Sequence, residues 1–485
     1  MQVLHISAEC YPAAKSGGLG DVVGSLPKYL SKSGTETAVI IPKYGLKWIE
    51  KAKWKEVHKG VVNLHDQYQP FTIELLQNQE LGFPLYVANI PGRFDRPGIY
   101  ADPGGHFYQD EPERWLSFQL AVLNWLATTP KIRPQILHCH DHHTGLIPFF
   151  VKEVEAYESL ADTPTVLTIH NGQYHGAFGW DRFYLFPFFD ESARGLLDWS
   201  GSINPLATGI KCAWRVTTVS EGYMEELRYN SVGLESLFGH ERFKCKGIIN
   251  GIDNSVWNPA TDPHLPHHLK RNSIEKFKSA NKAELAKNFH IDPDQPLITF
   301  IGRLVYEKGA DLIPELVQRV YQSGLKASFF VLGTGDPKLH NAFRQMSSEL
   351  FNFFDTSLEY NEKLAHQLYA GSDYLLMPSR VEPCGLNQMY SCRYGTIPIV
   401  RAIGGLKDTI EDIEEAPETG RGFRFYEFDL DEAFMAVYRA IQFYDEKRKF
   451  KALRKRIMAT DFSWEQSVTN YNKMYEELTT VTQNA

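Results

Sequence analysis

The chain opens with MQVLHISAECYPAAKSGGLGDVVGSL (residues 1–26), in which a short apolar segment runs into a glycine-rich loop and then into a helical pattern. Val3 to Ser7 is apolar enough to form a buried strand. Four apolar side chains after the loop recur at helical spacing: Val22, Val23, Leu26 and Leu30. Thr37 to Ile41 is apolar again. This order predicts a strand, a loop, a helix and a second strand.

Further apolar segments of strand length alternate with helical stretches through the first half of the chain. They are Leu85 to Ile90, Ile136 to Cys139, Thr165 to Ile169 and Val216 to Val219. Strands that alternate with helices in this way are typical of a parallel sheet covered by helices on both faces.

The same order starts again after residue 290. Leu297 to Ile301 predicts a strand, a loop follows through Lys308 and Gly309, and a helical pattern leads to the apolar segment Ala327 to Leu332. Two more strands and a helix between them are predicted at Tyr374 to Met377, Ile397 to Val400 and about Gly385 to Tyr394, and a C-terminal helix at Ser463 to Thr479. The sequence therefore predicts an α/β protein with two doubly wound domains.

Length and composition limit the function classes. A chain of 485 residues is too long for one hydrophobic core. Its formal net charge is −8 and no segment concentrates Lys and Arg, so we expect no nucleic-acid partner. The six cysteines are scattered without a C-x-x-C pair, which favours reduced thiols over zinc or redox chemistry. A neutral polymer or a small anion fits this composition better.

The N-terminal segment lacks the basic region of a signal peptide, and its apolar run stops at Glu9 and Pro12. No stretch approaches the roughly 18 apolar residues that a membrane span needs. We therefore expect a cytoplasmic protein with no membrane partner.

The loop from Lys15 to Asp21 contains three glycines between a strand and a helix, a place where backbone N–H groups can approach a phosphate. A dinucleotide fingerprint is the obvious competitor. Its third glycine would come one residue late, and Ile41-Pro42-Lys43 lacks the acid that would hold a ribose. A glycine-rich turn without a ligand stays open as an alternative.

Charged side chains follow two of the predicted strands of the second domain. Arg303 and Lys308 come after Leu297 to Ile301, and Glu382 comes after Tyr374 to Met377. Loops at the carboxyl ends of parallel strands line the ligand crevice of such sheets. Two cations there could neutralise a leaving diphosphate, and the carboxylate could accept sugar hydroxyls or stabilise charge at an anomeric carbon. Solvated surface charges are the alternative.

Possible metal ligands do not match a known spacing. In the run from His138 to His143, the hydrolase pattern H-x-H-x-D-H would need an acid where His142 stands. Asp292-Pro293-Asp294 precedes a strand, and Asp429-Leu430-Asp431 is typical of a helix cap. We therefore predict no metal and no cofactor.

Taken together, these segments resemble bacterial glycogen synthases and plant starch synthases from end to end. Lys15-Ser16-Gly17-Gly18-Leu19 is similar to the family's K-[ST]-G-G-L signature for the nucleotide sugar. The other matching segments follow in the family's order: Arg96 to Tyr100, His140-Asp141, Thr168 to Asn171, Val216 to Ser220, Asn250 to Asp253, Gly302 to Leu304, Gly333 to Asp336, Glu382 to Leu386 and Gly404 to Thr409.

The resemblance implies two Rossmann-like domains facing a cleft, the GT-B type of glycosyltransferase. Residues 1–258 would form the acceptor-side domain, residues 259–460 the nucleotide-sugar domain, and residues 461–485 a helix crossing back to the first. The implied reaction is a metal-independent transfer of glucose, with retention, from ADP-glucose to the non-reducing end of an α-1,4-glucan such as glycogen. UDP-glucose as the donor and a small acceptor are the alternatives.

The resemblance also implies a role for each site residue. Glu382, His170, Arg303 and Lys308 would carry catalysis, with both cations on the donor diphosphate. The donor-binding set would be Lys15, Gly18, Asp21, Asn250, Gly302, Tyr360, Cys384, Gly385 and Leu386, in which Tyr360 and Asp21 face the nucleoside and Asn250 the glucose. Tyr100 and Asp141 would lie on the acceptor side.

Three positions depart from the family pattern. His142 stands where most members have Trp, Ala207 replaces a usual Lys, and Asn387 replaces the usual Thr. A glucan phosphorylase, which would need a pyridoxal cofactor on a lysine, and a catalytically silent glucan-binding protein are the competing classes. The presence of all four predicted catalytic residues disfavours the silent protein: Glu382, Arg303, Lys308 and His170.

Overall fold

The computed structural model describes residues 2–65, 67–77, 81–271 and 273–484. The chain divides into two compact units. Unit 1 contains residues 1–219, 224–248 and 464–485, and unit 2 contains residues 220–223 and 249–463. Residues 249–258, assigned to the first domain from the sequence, thus group with unit 2. The functional assignment of the domains stays a prediction.

Unit 1 is built around a nine-stranded sheet. Its strands and a separate two-stranded pair are β1 Val3–Ile6, β2 Thr37–Pro42, β3 Trp54–Leu64, β4 Gln67–Leu76, β5 Leu85–Asn89, β6 Ile136–His140, β7 Thr165–Ile169, β8 Asp198–Trp199, β9 Ser202–Ile203, β10 Arg215–Thr218 and β11 Cys245–Gly247. The helices up to this point are α1 Gly18–Lys32, α2 Lys47–Lys51, α3 Glu111–Thr128, α4 Ile147–Glu153, α5 Pro205–Cys212, α6 Glu221–Leu227 and α7 Glu235–His240.

The strand order of the large sheet is β11-β10-β7-β6-β1-β2-β5-β4-β3. The strands from β11 to β5 pair in parallel, which confirms the parallel sheet predicted from the alternation of strands and helices. β3 and β4 form an antiparallel hairpin that extends the sheet beyond β5. The sequence did not predict this hairpin, because β3 exposes most of its residues and lacks an apolar run.

Unit 2 contains a six-stranded parallel sheet. Its strands are β12 Leu297–Ile301, β13 Ser328–Leu332, β14 Phe354–Ser357, β15 Tyr374–Met377, β16 Ile397–Arg401 and β17 Phe423–Phe425, in the order β14-β13-β12-β15-β16-β17. The helices are α8 Ile274–Asn288, α9 Ile313–Gln322, α10 Pro337–Glu349, α11 Glu362–Gly371, α12 Asn387–Arg393, α13 Gly404–Thr409, α14 Leu430–Asp445 and α15 Lys447–Ala459. This second parallel sheet confirms the predicted restart of the fold.

The starts of two helices in unit 2 can be compared with the sequence-based predictions. α12 begins two residues later than predicted, because Gly385 has a φ of 70°, which a helix does not allow. The side chain of Asp429 accepts the backbone N–H groups of Asp431 and Glu432 at the start of α14. That contact confirms the predicted helix cap.

The last helix, α16 Trp464–Asn484, belongs to unit 1 rather than to the unit that precedes it. It buries an apolar stripe against α1 and against residues of the central strands β1, β6 and β7. The shared core consists of Trp464, Val468, Tyr471, Met474, Tyr475 and Leu478 from α16 with Val22, Leu26, Tyr29 and Leu30 from α1. Burial on this scale is the main force that holds the helix in place.

Within the described residues, no helix is long and apolar enough to cross a membrane. All six cysteines are free thiols.

Candidate active site

Glu9 organises the glycine-rich loop in unit 1. Its buried carboxylate accepts the N–H groups of Ser16 at 2.6 Å and Gly17 at 3.0 Å, and it also accepts the hydroxyl of Tyr100 at 2.6 Å. A residue predicted on the acceptor side is thus joined to the loop predicted to bind the donor. Sequence analysis missed Glu9, because a single acid after an apolar strand carries no motif.

The two charged residues predicted in this loop pair with each other. Lys15 Nζ lies 2.7 Å from Asp21 Oδ1, and both side chains are about one-third exposed. A side chain on Gly18 would meet no neighbouring atom within 4 Å, so the space beside it is open. Gly24 serves packing instead, because a Cβ there would lie 2.6 Å from the carbonyl oxygen of Tyr11.

Asp141 and His170 lie together at the ends of β6 and β7. Asp141 Oδ1 accepts the backbone N–H of His170 at 2.7 Å, and Asp141 has a φ of 56°, in the left-handed region. Burial raises the pKa of Asp141 to about 7. Such a strained, buried carboxylate with a raised pKa is a frequent feature of functional sites.

A cluster of buried histidines lies beside His170 and contacts it through His140. His140 Nδ1 lies 2.9 Å from His170 Nε2, and burial lowers the pKa of His170 to about 3. Ring nitrogens of His5, His138 and His140 lie within 4.8 Å of one another, a spacing that a metal ion can use. Both nitrogens of His138 and of His140 already take part in hydrogen bonds or close contacts with unit 1 side chains. These contacts explain why the histidine rings lie close together.

In unit 2, Lys308 and Glu382 form a bidentate ion pair. Lys308 Nζ lies 2.8 Å and 2.7 Å from the two carboxylate oxygens of Glu382. Glu382 is buried and also accepts the Ser379 hydroxyl at 3.0 Å. The strand ends of β12 and β15 therefore bring together a cation and a carboxylate that are 74 residues apart in the chain.

Arg303 follows β12 with its side chain 63% exposed, and its guanidinium lies 3.6 Å from a carboxylate oxygen of Glu307. An ion pair this exposed contributes little to stability, roughly 0–1 kcal/mol. The guanidinium can therefore leave Glu307 at small cost.

Two glycines hold the segment of Glu382 in place. Gly404 has a φ of 40°, and a Cβ on it would lie 2.2 Å from the carbonyl oxygen of Glu382. A Cβ on Gly405 would lie 2.1 Å from the carbonyl oxygen of Cys384. Only glycine allows α13 to start this close to the segment from Glu382 to Cys384.

The remaining donor-side residues of unit 2 are spread over several loops. The Cys384 thiol is hydrogen-bonded to Asn250, whose buried Oδ1 has no partner within the part of the chain that the structure describes. Gly302 donates its N–H to Leu332 at the end of β13. Leu386 immediately precedes α12, and Tyr360 is 76% exposed. The unsatisfied Oδ1 of Asn250 could accept a hydrogen bond from a hydroxyl group of a ligand.

The three departures from the family pattern lie in different surroundings. Asn387 donates to the carbonyl of Ile301, at the end of β12, over 2.7 Å. Ala207 is buried in α5, and its backbone N–H donates to the side-chain Oδ1 of the helix-capping residue Asn204. His142 is packed against Gly176, and burial lowers its pKa to about 4. Each substitution is thus accommodated by its local packing.

Two family models match successive parts of the chain. The family model described as "Starch synthase catalytic domain" matches residues 2–240, and the model "Glycosyl transferases group 1" matches residues 281–449. A glycogen synthase of Flavobacterium johnsoniae is 44% identical over 98% of both chains. The chain belongs to the glycogen and starch synthase family.

Other relatives extend this result. A glycogen synthase of Anoxybacillus flavithermus is 36% identical over 99% of this chain and 98% of its own. The catalytic domain of starch synthase IV from Arabidopsis thaliana, solved with ADP and acarbose bound, has a TM-score of 0.88 and 31% identity over 99% of both chains. A sucrose-phosphate synthase from Thermosynechococcus elongatus, at 15% identity and a TM-score of 0.60, shares the fold. The chain is therefore a glycosyltransferase with the GT-B fold.

Proposed function

We propose that this glycosyltransferase transfers glucose from ADP-glucose to the non-reducing end of an α-1,4-glucan, with retention of configuration and without a metal ion. Two comparisons support the substrates. The relatives over the full chain are named glycogen synthase, and a similar solved domain binds ADP and acarbose. The first implies a glucan acceptor, and the second favours adenine over uracil in the donor.

The observation that carries the proposal is the pair of Lys308 and Glu382 at the strand ends of unit 2. Transfer from a nucleotide sugar releases a diphosphate, whose growing negative charge must be neutralised in the transition state. Lys308 and the exposed Arg303 are the cations that we assign to this task, together with the backbone at Gly302. Because these two side chains supply positive charge for the diphosphate, the reaction should not need a metal ion.

We assign the glucose to His170, Asn250 and Glu382. The buried, unsatisfied Oδ1 of Asn250 and the carboxylate of Glu382 are acceptors for sugar hydroxyls. The backbone N–H groups of Cys384, Gly385 and Leu386 complete this set. Lys15 and Gly18 would bind the diphosphate from unit 1, and Asp21 and Tyr360 the nucleoside.

Retention follows if the acceptor hydroxyl attacks from the face that the diphosphate leaves. The leaving phosphate oxygen then takes the proton of that hydroxyl, and the protein contributes positioning and charge stabilisation. Tyr100 and Asp141 are the residues that we place beside the acceptor.

A direct test is a side-by-side assay of ADP-glucose and UDP-glucose with glycogen as the acceptor, in the presence and absence of EDTA. We expect chain extension with ADP-glucose that EDTA does not reduce. Faster turnover with UDP-glucose would reject the donor assignment, and loss of activity in EDTA would reject metal independence. Transfer to a small sugar but not to glycogen would reject the glucan acceptor.

A further inference from the structure

Three histidine rings in unit 1 form a hydrogen-bonded chain that ends on His170. His5 Nδ1 lies 3.1 Å from His140 Nε2, and His140 Nδ1 lies 2.9 Å from His170 Nε2. His5 lies on β1, His140 ends β6, and His170 directly follows β7. Because these three strands are neighbours in the sheet, the hydrogen bonds between the rings link each strand to the next.

All three rings are neutral at physiological pH. Burial lowers the pKa of His5 and His170 to about 3 and the pKa of His140 well below its usual value. A neutral imidazole has one nitrogen that donates and one that accepts. His140 must therefore donate to one neighbour and accept from the other, so both hydrogen bonds run in the same direction.

The Nε2 of His5, at one end of the three linked rings, distinguishes the two possible directions of the hydrogen bonds. His5 is fully buried, and its Nε2 has no hydrogen-bond partner among the described residues. If the bonds ran from His170 towards His5, that Nε2 would carry a buried N–H without an acceptor, and such groups are rare in proteins. If they run from His5 towards His170, the nitrogen carries only a lone pair.

The second direction has a consequence for His170. Its Nε2 accepts from His140, so its single proton must lie on Nδ1. We propose that His5 and His140 are positioning residues that hold His170 in the tautomer protonated on Nδ1, so that it offers an N–H donor to an oxygen of the sugar. This step rests on the proposed function, which places the glucose at His170.

His138 provides a matched control beside the chain. Its ring stacks on that of His140 with centroids 4.4 Å apart, and it is equally buried. It bonds instead to the Tyr475 hydroxyl and the Thr168 hydroxyl, each at 2.6 Å. A change at His138 disturbs the same packing but leaves the three-ring chain intact.

The tautomer can be read from the full-length enzyme labelled with ¹⁵N-histidine, by long-range ¹H–¹⁵N correlation spectra with assignments from single variants. We expect His170 to show a protonated Nδ1 and an unprotonated Nε2 in the wild type. His5→Leu removes the donor and should give mixed tautomers of His170. His5→Asn keeps an N–H donor near the position of Nδ1 and should restore the wild-type signature.

Activity supplies the second readout. His5→Leu should lower kcat about tenfold or more, as for other histidines left in the wrong tautomer, with little change in the KM for the donor. His5→Asn should keep most of the activity. His138→Gln should lower thermal stability while it leaves both kcat and the His170 spectrum unchanged.

Three results would overturn the proposal: a wild-type His170 protonated on Nε2, a His5→Leu spectrum identical to wild type, or an equal spectral change in His138→Gln. Should His5→Leu fail to fold, the wild-type and His5→Asn spectra decide alone. Because the spectra need neither donor nor acceptor, their outcome is independent of which nucleotide sugar the enzyme uses.

Discussion

Arg303 is the site cation that the protein can lose with the least damage to its fold. Its side chain is mostly exposed, and its ion pair with Glu307 is long. If it neutralises the leaving diphosphate, Arg303→Ala should lower turnover on the order of a hundredfold or more, with the melting temperature unchanged. Steady-state kinetics and thermal melting measure the two effects.

Arg319→Ala is the matched control for this variant. Arg319 is a partly exposed arginine of the same unit that pairs with Asp431. It lies on α9 rather than at a strand end, so its loss should not affect turnover. Near-normal turnover in Arg303→Ala would contradict the role of Arg303.

Lys308 differs from Arg303 because it also neutralises a buried carboxylate. Lys308→Ala should lower turnover by a similar factor and also destabilise unit 2 by about 1–3 kcal/mol, since Glu382 loses its partner. In the double variant Lys308→Ala/Glu382→Gln the stability should recover, because the unpaired charge is gone, while activity stays low. Recovery of activity along with stability would show that Lys308 acts only through the fold.

At this scale the sequence predicted types of residue better than their contacts. Arg303, Lys308 and Glu382 were found because each follows an apolar strand, and parallel strands end at one edge of the sheet. Glu9 and His5 were missed. Each is a single polar residue in or beside the buried strand β1, and each has a partner more than 90 residues away in the chain, Tyr100 for Glu9 and His140 for His5.

Among the elements, most of the parallel strands could be predicted, whereas the short parallel strands β11, β14 and β17 and the antiparallel strands β3 and β4 could not. Strands such as β1 and β13 are buried along their whole length, so their sequences are continuous apolar runs. β3 exposes one face and most of its polar residues. β17 is three residues long, too short for any periodic pattern to be recognised.

Tyr475 ties α16 to the centre of the large sheet. Its hydroxyl lies 2.6 Å from His138 Nδ1, and both residues are buried. Tyr475→Phe should cost about 1–3 kcal/mol, because it leaves a buried nitrogen of His138 without a partner. Thermal melting should show a drop of about 2–4 °C for each kcal/mol lost.

Tyr229→Phe tests whether the loss is specific, because Tyr229 is 85% exposed in the same unit. Its melting temperature should equal that of the wild type. Equal melting of Tyr475→Phe and wild type would mean that packing alone holds α16 on unit 1.

For the whole molecule, the two units differ in the buried ionisable groups that should respond to acid. Unit 1 buries histidines that are kept neutral: His5, His138, His140, His142, His143 and His170. Unit 2 contains a buried network of charged groups around Asp373. Burial opposes ionisation of Asp373, but Lys282 and Arg454 outweigh it and hold the pKa of that carboxyl below its usual value.

These two designs should respond to acid in different pH ranges. A histidine with a lowered pKa stabilises the fold above pH 6.5 and loses that stability as the pH falls, by about 1.4 kcal/mol per pH unit for each ring. Asp373 keeps its contribution until the pH falls below about 3.8, the pKa of the unfolded chain. Asp141, with a pKa of about 7, acts against the histidines, because its protonation adds stability as the pH falls towards 3.8.

With six histidines against one carboxyl, unit 1 should lose its structure at a higher pH than unit 2. Hydrogen exchange with mass spectrometry, corrected for the intrinsic exchange rate, should show β1 and β6 losing protection between about pH 6 and 4 while β12 and β13 stay protected. Asp141→Asn removes the stability that protonation of Asp141 adds at low pH. The loss of protection in unit 1 should therefore occur at a higher pH. Simultaneous loss of protection in both units, or loss in unit 2 at a higher pH, would contradict the neutral state that we assign to the histidines. The direction of the hydrogen bonds from His5 to His170 depends on that neutral state.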